Sequence, residues 1–369
     1  MSSASGPSPV RARDLGLGPA WGPTGRDNAI TDVPGVLVGH TTLVADPGVR
    51  TGVTVVLPRP ATIFHQPVFA GCHRLNGNGE LTGLEWIREA GLLCTPVALT
   101  NTHSVGVVRD ALVAWEAAQR GPDDEFWALP VVGETWDGRL NDINGQHVRP
   151  EHVLAALAGA RPGPVAEGNV GAGTGTICHG FKGGIGTASR VVTDEHGSFT
   201  VGVLVQANHG CRARFTVDGV AVGGLVGPGI VPLPGPGSHP EGAGSIIGVI
   251  ATDAPLLPHQ CARLARRAPL GLARLGAVGD HHSGELFLAF AVGNTGLTGD
   301  HDTAPPEHRI RMLADSRITG LFAAAVDATE EAVLNAMLAA RTMTGRAGAT
   351  AYALPGELLT EVLARLRCR

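Results

Sequence analysis

The 369-residue chain holds a single lysine, Lys182, and a single tyrosine, Tyr352. Codon-usage bias accounts for the lack of lysine, but any lysine chemistry must then use Lys182. Net charge is −5, which leaves no basic footprint for nucleic acid. No apolar run reaches about 18 residues, so no membrane-spanning helix is expected. Residues 1–9 are rich in Ser, Pro and Gly and have no apolar h-region, so no signal peptide is read there. Residues 1 to about 12 are expected to be disordered. The six cysteines, at 72, 94, 178, 211, 261 and 368, form no CxxC pair. They read as reduced, mostly buried thiols of a cytoplasmic protein.

Several site motifs are also missing. Fifteen histidines occur without HExxH or a Cys/His quartet, so no metal is expected. The neighbours His281 and His282 would point to opposite faces of a strand. No GxSxG elbow exists for a triad serine. The run Gly171-Ala172-Gly173-Thr174-Gly175 fails as a dinucleotide fingerprint, because Thr176 stands where the last glycine is required and no GK[ST] follows. These glycines read instead as tight backbone turns beside a site.

What is present is a chain 43% hydrophobic, enough for a large core. Strands are expected at 51–58, 92–99, 129–132, 188–192, 198–206, 246–251 and 285–292, with another after the Pro34-Gly35 turn. Helices are expected at 80–90, 151–160, 258–268 (interrupted at Pro269), 317–325, 329–341 and 355–366, with Asp327 and Thr329 as caps for the one at 329. A further amphipathic helix puts Val105, Val108, Leu112 and Trp115 on one face behind the candidate N-cap Ser104. Segment 68–79 reads as a loop ending in Asn76-Gly77-Asn78-Gly79. Segment 133–145, with three acids and two asparagines, reads as a site loop. Segment 223–244 is too rich in Gly and Pro for a regular element. Strands and helices on both sides of this loop suggest an α/β or α+β layer protein.

That last loop ends at Gly242-Ala243-Gly244-Ser245, where a β-branched run begins. Two readings stand at this point. One is a glycine loop meeting a strand. The other is self-cleavage between Gly244 and Ser245, which makes Ser245 an N-terminal nucleophile with its own α-amine, of pKa near 8, as base. Downstream, Ser283 and Glu285 stand at i and i+2. On a strand they share a face, where a hydroxyl and a carboxylate can orient Ser245 or relay its proton.

At these residues the chain resembles the DmpA-type L-aminopeptidase/D-esterase family, the P1 or S58 peptidases, which include the β-aminopeptidases. The resemblance runs through NAITDVPGVLVGHTTL (28–43), NGNGELTGLEWI (76–87), ALTNTHSVGVVRDALV (98–113), LNDING (140–145), GAGTGTICHGFKGGIGTASR (171–190), VQANHG (205–210), GAGSIIGVIATDAPLLPHQ (242–260) and SGELFLAF (283–290). It implies an αββα sandwich like that of N-terminal nucleophile hydrolases, with different connectivity. It implies self-cleavage into an α chain (13–244) and a β chain (245–369), and a homotetramer of αβ units. Ser245 matches the nucleophile, Ser283 and Glu285 its support, and Asn208 the oxyanion-hole asparagine. Glu134 matches the acid that receives the substrate's amine. Trp136 stands where some members carry a tyrosine, and an indole donates one hydrogen bond but neither accepts nor ionises. The function implied is an aminopeptidase/amidase acting on peptides, amides or esters without a cofactor. The alternatives are an acyltransferase of related fold, argued against by serine in place of threonine, and a non-catalytic binder of amino compounds.

Overall fold

The computed structural model describes residues 10–18, 20–60, 63–121, 123, 125–235, 242–298, 305 and 307–367. The first half contributes strands β1 (Leu37–Ala45), β2 (Val49–Leu57), β3 (Val68–Gly77), β4 (Leu92–Leu93), β5 (Val97–Asn101) and β6 (Val131–Thr135). Helices α1 (Leu84–Ala90), α2 (Val105–Ala117) and α3 (Pro150–Ala158) lie among and after them. Next come the short pair β7 (Ile177–Cys178) and β8 (Phe181–Lys182), the long hairpin β9 (Gly184–Asp194) and β10 (Gly197–Gly210), and the short pair β11 (Thr216–Val217) and β12 (Val220–Ala221). The last third holds β13 (Gly242–Thr252), α4 (Pro258–Ala265), α5 (Ala268–Arg274), β14 (Gly284–Ala291), α6 (Thr319–Leu338) and α7 (Gly356–Arg367).

The two main sheets are ordered β1-β2-β5-β6 and β4-β3-β14-β13-β10-β9. Their inner faces meet through Val56, Val97, Leu99 and Val131 on one side and Leu204, Ile247, Val249 and Leu288 on the other. The outer face of the small sheet packs Val53, Val55 and Ala98 under α2 and α3. The outer face of the large sheet packs Ile250 and Phe287 under α4, α5 and α6. Each sheet thus buries both faces, giving four layers, α-β-β-α, as expected. Strands β13 and β14 run parallel, so the chain must cross over between them, and α4 with α5 supplies the crossover.

Several elements differ from the sequence reading. The expected loop at 68–79 is strand β3 as far as Gly77, because it pairs antiparallel with β14 along its length. The strand expected at 92–99 is split by Cys94-Thr95-Pro96: β4 joins the large sheet and β5 the small one. Pro96 has no N–H to continue a ladder. The helix expected from 80 starts at Leu84, since Leu81 bridges to Gly133 and Thr82 N donates to Val132 O at 3.0 Å. Asn101, not Ser104, caps the turn before α2: its Oδ1 accepts from His103 N at 3.1 Å. Pro269 does not interrupt a helix; it sits in the first turn of α5, where its missing N–H costs nothing. The two helices expected at 317–341 are one, α6. Thr329 Oγ1 donates back to Ala325 O at 2.7 Å, and Asp327 pairs with Arg274 instead of capping. His281 and His282 lie in the turn before β14 with their rings 4.6 Å apart, not on opposite faces of a strand. The loop expected to run to 244 gives way to strand at Gly242, and residues 236–241 lie outside the described residues. So do 1–9; Ala12, expected at the edge of a disordered tail, is buried and donates to Asn335 Oδ1 at 2.9 Å.

Candidate active site

Strand β13 lies between β10 and β14, and Ser245 sits near its start. In the register Ser245 faces Asn208 of β10, while Ile246 faces Glu285 of β14. Gly244 has φ +147°, and a Cβ there would lie 2.1 Å from Asn208 O. No other residue fits this position without moving a strand. The Ser245 hydroxyl accepts from Gly284 N at 3.1 Å and donates to Asn78 O at 3.4 Å. Neither partner can take a proton, so the uncut chain offers this hydroxyl no base through these contacts.

The Asn208 side chain is held at both ends. Its Oδ1 accepts from Ile177 N at 2.8 Å, and its Nδ2 donates to Trp136 O at 3.0 Å. Ile177 needs an acceptor and Trp136 a donor, which fixes the amide's orientation. The Nδ2 end therefore lies on the Gly244 side, 3.4 Å from where a Cβ on that glycine would stand.

Ser283 and Glu285 meet as expected. Ser283 Oγ hydrogen-bonds Glu285 Oε1 and also lies 2.8 Å from Asp280 O. One hydroxyl proton cannot serve both acceptors. When Glu285 is ionised it draws that proton; when Glu285 is protonated, the carboxyl can donate to Ser283 while Ser283 donates to Asp280. Burial pushes the Glu285 carboxyl up to about 7; the Ser283 bond pulls it down, and the charge of Asp280 pushes it up. Asp280 itself is gripped by Arg214 at 2.6 Å through both oxygens.

Glu134 was expected in a loop and lies instead on strand β6. Its Oε1 accepts from Glu80 N at 2.8 Å, and its Oε2 accepts from Thr102 Oγ1. Burial raises its carboxyl above the usual range, opposed by those two bonds. Trp136 follows, half-buried, and meets Asn208 through its carbonyl. The fold therefore brings all six expected site residues to one end of the two sheets. Ser245, Asn208, Ser283, Glu285 and Glu134 are each at most 6% exposed, so little of the site meets solvent.

Sequence reasoning missed Asn78, Gly284, Glu80 and Thr102. The first three act through backbone atoms, which carry no sequence signal; Thr102 lay in plain view three residues before the start of α2 and was passed over. It also missed a buried trio, Cys178, His179 and His209, whose ligand atoms lie within 4.8 Å of one another. These are the residues that could hold a soft metal ion, and they lie next to Asn208. Burial keeps His179 neutral, pushing it down to about 4, and drives the Cys178 thiol up to about 12. The lone lysine is buried as well: Lys182 Nζ donates to Gly173 O at 3.0 Å and Gly183 O at 2.8 Å, bracing the glycine-rich turns.

Residues 28–351 match the family model for Peptidase family S58. The β-peptidyl aminopeptidase BapA of Sphingosinicella microcystinivorans is 47% identical, over 99% of this chain and 94% of its own length. Among solved structures, a Burkholderia sp. β-aminopeptidase superposes with a TM-score of 0.90 at 53% identity, covering 96% of this chain and 99% of that one. The L-aminopeptidase D-Ala-esterase/amidase of Ochrobactrum anthropi, described as a prototype for the serine aminopeptidases and a variant of the Ntn hydrolase fold, gives 0.89 at 46% identity, covering 96% and 98%.

Proposed function

The chain belongs to peptidase family S58, and from that premise we propose that it is a self-processing serine aminopeptidase whose nucleophile is Ser245. The observation that carries this reading is the confinement of Gly244-Ser245. A glycine with positive φ and no room for a Cβ precedes a serine whose hydroxyl is held by a backbone N–H and which stands opposite Asn208 in the strand register. In processing, Ser245 Oγ attacks the Gly244 carbonyl, the C–N bond breaks as the ester forms and the hydroxyl proton passes to the freed Ser245 amine, and water then hydrolyses the ester to a Gly244 carboxylate and the Ser245 hydroxyl. That amine is the base the uncut chain lacks. The segment before Ser245 then swings away and admits substrate. The α chain is 13–244 and the β chain 245–369.

In turnover, Glu134 holds the free amine of a small peptide, amide or ester. Ser245 attacks the first carbonyl, Asn208 Nδ2 steadies the oxyanion, and water resolves the acyl-enzyme. Ser283 and Glu285 orient the nucleophile and relay its proton. A β-aminoacyl terminus is the substrate class we favour, supported by the names of the two relatives given as β-peptidyl aminopeptidase and β-aminopeptidase. No cofactor enters these steps. The five cysteines among the described residues are free thiols, which suits a reducing, cytoplasmic compartment. Among the described residues no helix is long and apolar enough to cross a membrane. A homotetramer of αβ units is the assembly we adopt.

The test is a panel of p-nitroanilides with free and acetylated amines. Free-amine substrates are cleaved and acetylated ones are not; equal rates on both would sink the reading. Glu134→Gln removes the charge that meets the ammonium, and KM for free-amine substrates is expected to rise about tenfold or more, with processing intact. A second expectation concerns pH. The Glu285 carboxyl ionises as pH rises through about 7, so kcat should rise through that value. In Glu285→Gln this limb should vanish, leaving one set by the Ser245 amine near 8 at a rate about 100-fold lower. An unchanged profile in the variant would show that Glu285 takes no part.

A further inference from the structure

Strand β10 sets Asn208 opposite Ser245, and its pairing with β13 then slips between Asn208 and Gly210. At that irregular end β7 is tied to it, with His179 N donating to His209 O at 2.7 Å. The contact gathers the side chains of Cys178, His179 and His209. All three are buried, at 0%, 0% and 2% exposure. Cys178 follows Ile177, whose N–H holds Asn208 Oδ1, and His209 follows Asn208 itself. The cluster therefore adjoins, along the chain, both partners of the bond that orients the oxyanion amide.

Cys178 Sγ lies 3.8 Å from His209 Nδ1, and one ligand atom from each of the three residues lies within 4.8 Å of the others. Bonds of about 2.0–2.3 Å to a tetrahedral zinc ion set its ligand atoms about 3.3–3.8 Å apart, so a small inward movement suffices. His179 Nδ1 meets the Cys211 carbonyl at 3.2 Å. A carbonyl only accepts, and burial keeps this ring neutral, so Nδ1 carries the proton and Nε2 keeps its lone pair. A backbone carbonyl on the other nitrogen is a common way to fix a metal-binding histidine. Among the described residues that Nε2 has no hydrogen-bond partner, and neither has Nε2 of His209. Buried polar groups are nearly always paired, so two orphans in one cluster point to a missing partner. The backbone is also shaped to keep the His179 ring in place. Residue 179 has φ +48°, and a Cβ on Gly210 would lie 2.4 Å from the ring.

We propose that Cys178, His179 and His209 form a binding site for one zinc ion, and that zinc held there inhibits the enzyme by displacing the oxyanion amide. One sulfur and two imidazole nitrogens suit zinc rather than magnesium or calcium, which take oxygen ligands. Three protein ligands leave the fourth position to water. Burial keeps the metal-free Cys178 thiol protonated, pushing it up to about 12, and keeps both rings uncharged. Zinc therefore replaces the thiol proton, which leaves to solvent, and takes a lone pair from each neutral imidazole. Drawing the ligands together moves residues 178 and 209, and with them Ile177 and Asn208. A displaced oxyanion donor lowers kcat, because it acts on charge that develops in the transition state. The site stands on the three side chains alone; its effect on rate rests on the reading of Asn208.

The probes are Zn2+ and, as its spectroscopic stand-in, Co2+. Because the trio is buried, each is supplied both during expression and to the purified enzyme after chelator treatment. Zinc is expected to bind at about one equivalent per chain and to lower kcat about tenfold or more with KM little changed, reversed by chelator. Cobalt should give a thiolate-to-metal charge-transfer band in the near ultraviolet. Cys178→Ser, close in size to the native residue, should lose that band and keep its kcat when zinc is added. It should bind zinc at least about tenfold more weakly, since loss of an outer partner alone has that effect. His209→Gln carries the same binding test if Cys178→Ser does not fold. Absence of bound zinc and of the charge-transfer band in the wild type overturns the proposal. So does inhibition by zinc that persists in Cys178→Ser, or zinc bound at the trio with kcat unmoved. Failure of the functional reading would look different: the metal-free enzyme would be uncut or inactive on free-amine anilides, while the zinc and cobalt binding would stand.

Discussion

Replacing Ser245 with alanine is expected to leave the chain as one 37.8 kDa band and to abolish hydrolysis. Both losses follow from one missing oxygen. The Ser245 hydroxyl is placed by Gly284 N and Asn78 O, on the residue that follows the Gly244 carbonyl. Without it the N-to-O shift has no acceptor oxygen, and the peptide bond keeps its ordinary stability. In the uncut chain little of the site meets solvent, so substrate has little access even if other groups could act. The variant should fold normally, because the hydroxyl makes only two backbone hydrogen bonds, one of them long at 3.4 Å. Denaturing gel electrophoresis and an anilide assay read the two effects together. Two bands with retained activity in Ser245→Ala would remove Ser245 from both steps.

Asn208→Ala is expected to lower kcat about 100- to 1000-fold with little change in KM, and to slow self-cleavage in parallel. The amide's Nδ2 lies on the Gly244 side of the site and is oriented by Ile177 N and Trp136 O before any reaction starts. Such a preset donor stabilises charge that develops only in the transition state, which is why kcat and not KM should carry the loss. The same side chain satisfies Ile177 N, so its removal strands a backbone donor at a cost of about 1–3 kcal/mol. A melting curve separates that loss of stability from the loss of rate. An unchanged kcat with a lowered Tm would make Asn208 a purely structural residue. Processing that stays fast while turnover slows would separate the two oxyanion sites that this account treats as one.

That the chain forms layers of strands and helices was legible because both sheets bury both faces, which leaves apolar β-branched runs such as those around Val55 and Ile247 bounded by glycine and proline; the α-β-β-α order came from the family resemblance. Strand β3 was not legible, since its second half carries His73, Arg74 and Asn76 toward an open end and reads as a loop. Helix α6 was divided in two on the sequence because Asp327 and Thr329 resemble caps. In the fold Arg274 takes the carboxylate and the Ala325 carbonyl takes the hydroxyl, so neither stops the helix. In the site, the period-two spacing of Ser283 and Glu285 drew notice but by itself reads equally as an exposed polar strand start, and the family resemblance gave the pair its role. Ser245 and Asn208 lie 37 positions apart in the chain and face each other only through strand register, so their pairing came from family resemblance and not from local pattern. Asn78 and Gly284 contribute a carbonyl and an amide that every residue owns, and nothing in a sequence marks which of them will matter.

The central claim is that the chain cuts itself at one bond to create its own nucleophile and base. Sequencing the N-termini of the purified protein, together with intact mass, tests it most directly. The account predicts a second N-terminus reading Ser-Ile-Ile-Gly-Val, from a fragment whose mass fits residues 245–369. An active enzyme that is uncut, or one whose new terminus lies elsewhere in the chain, would contradict it.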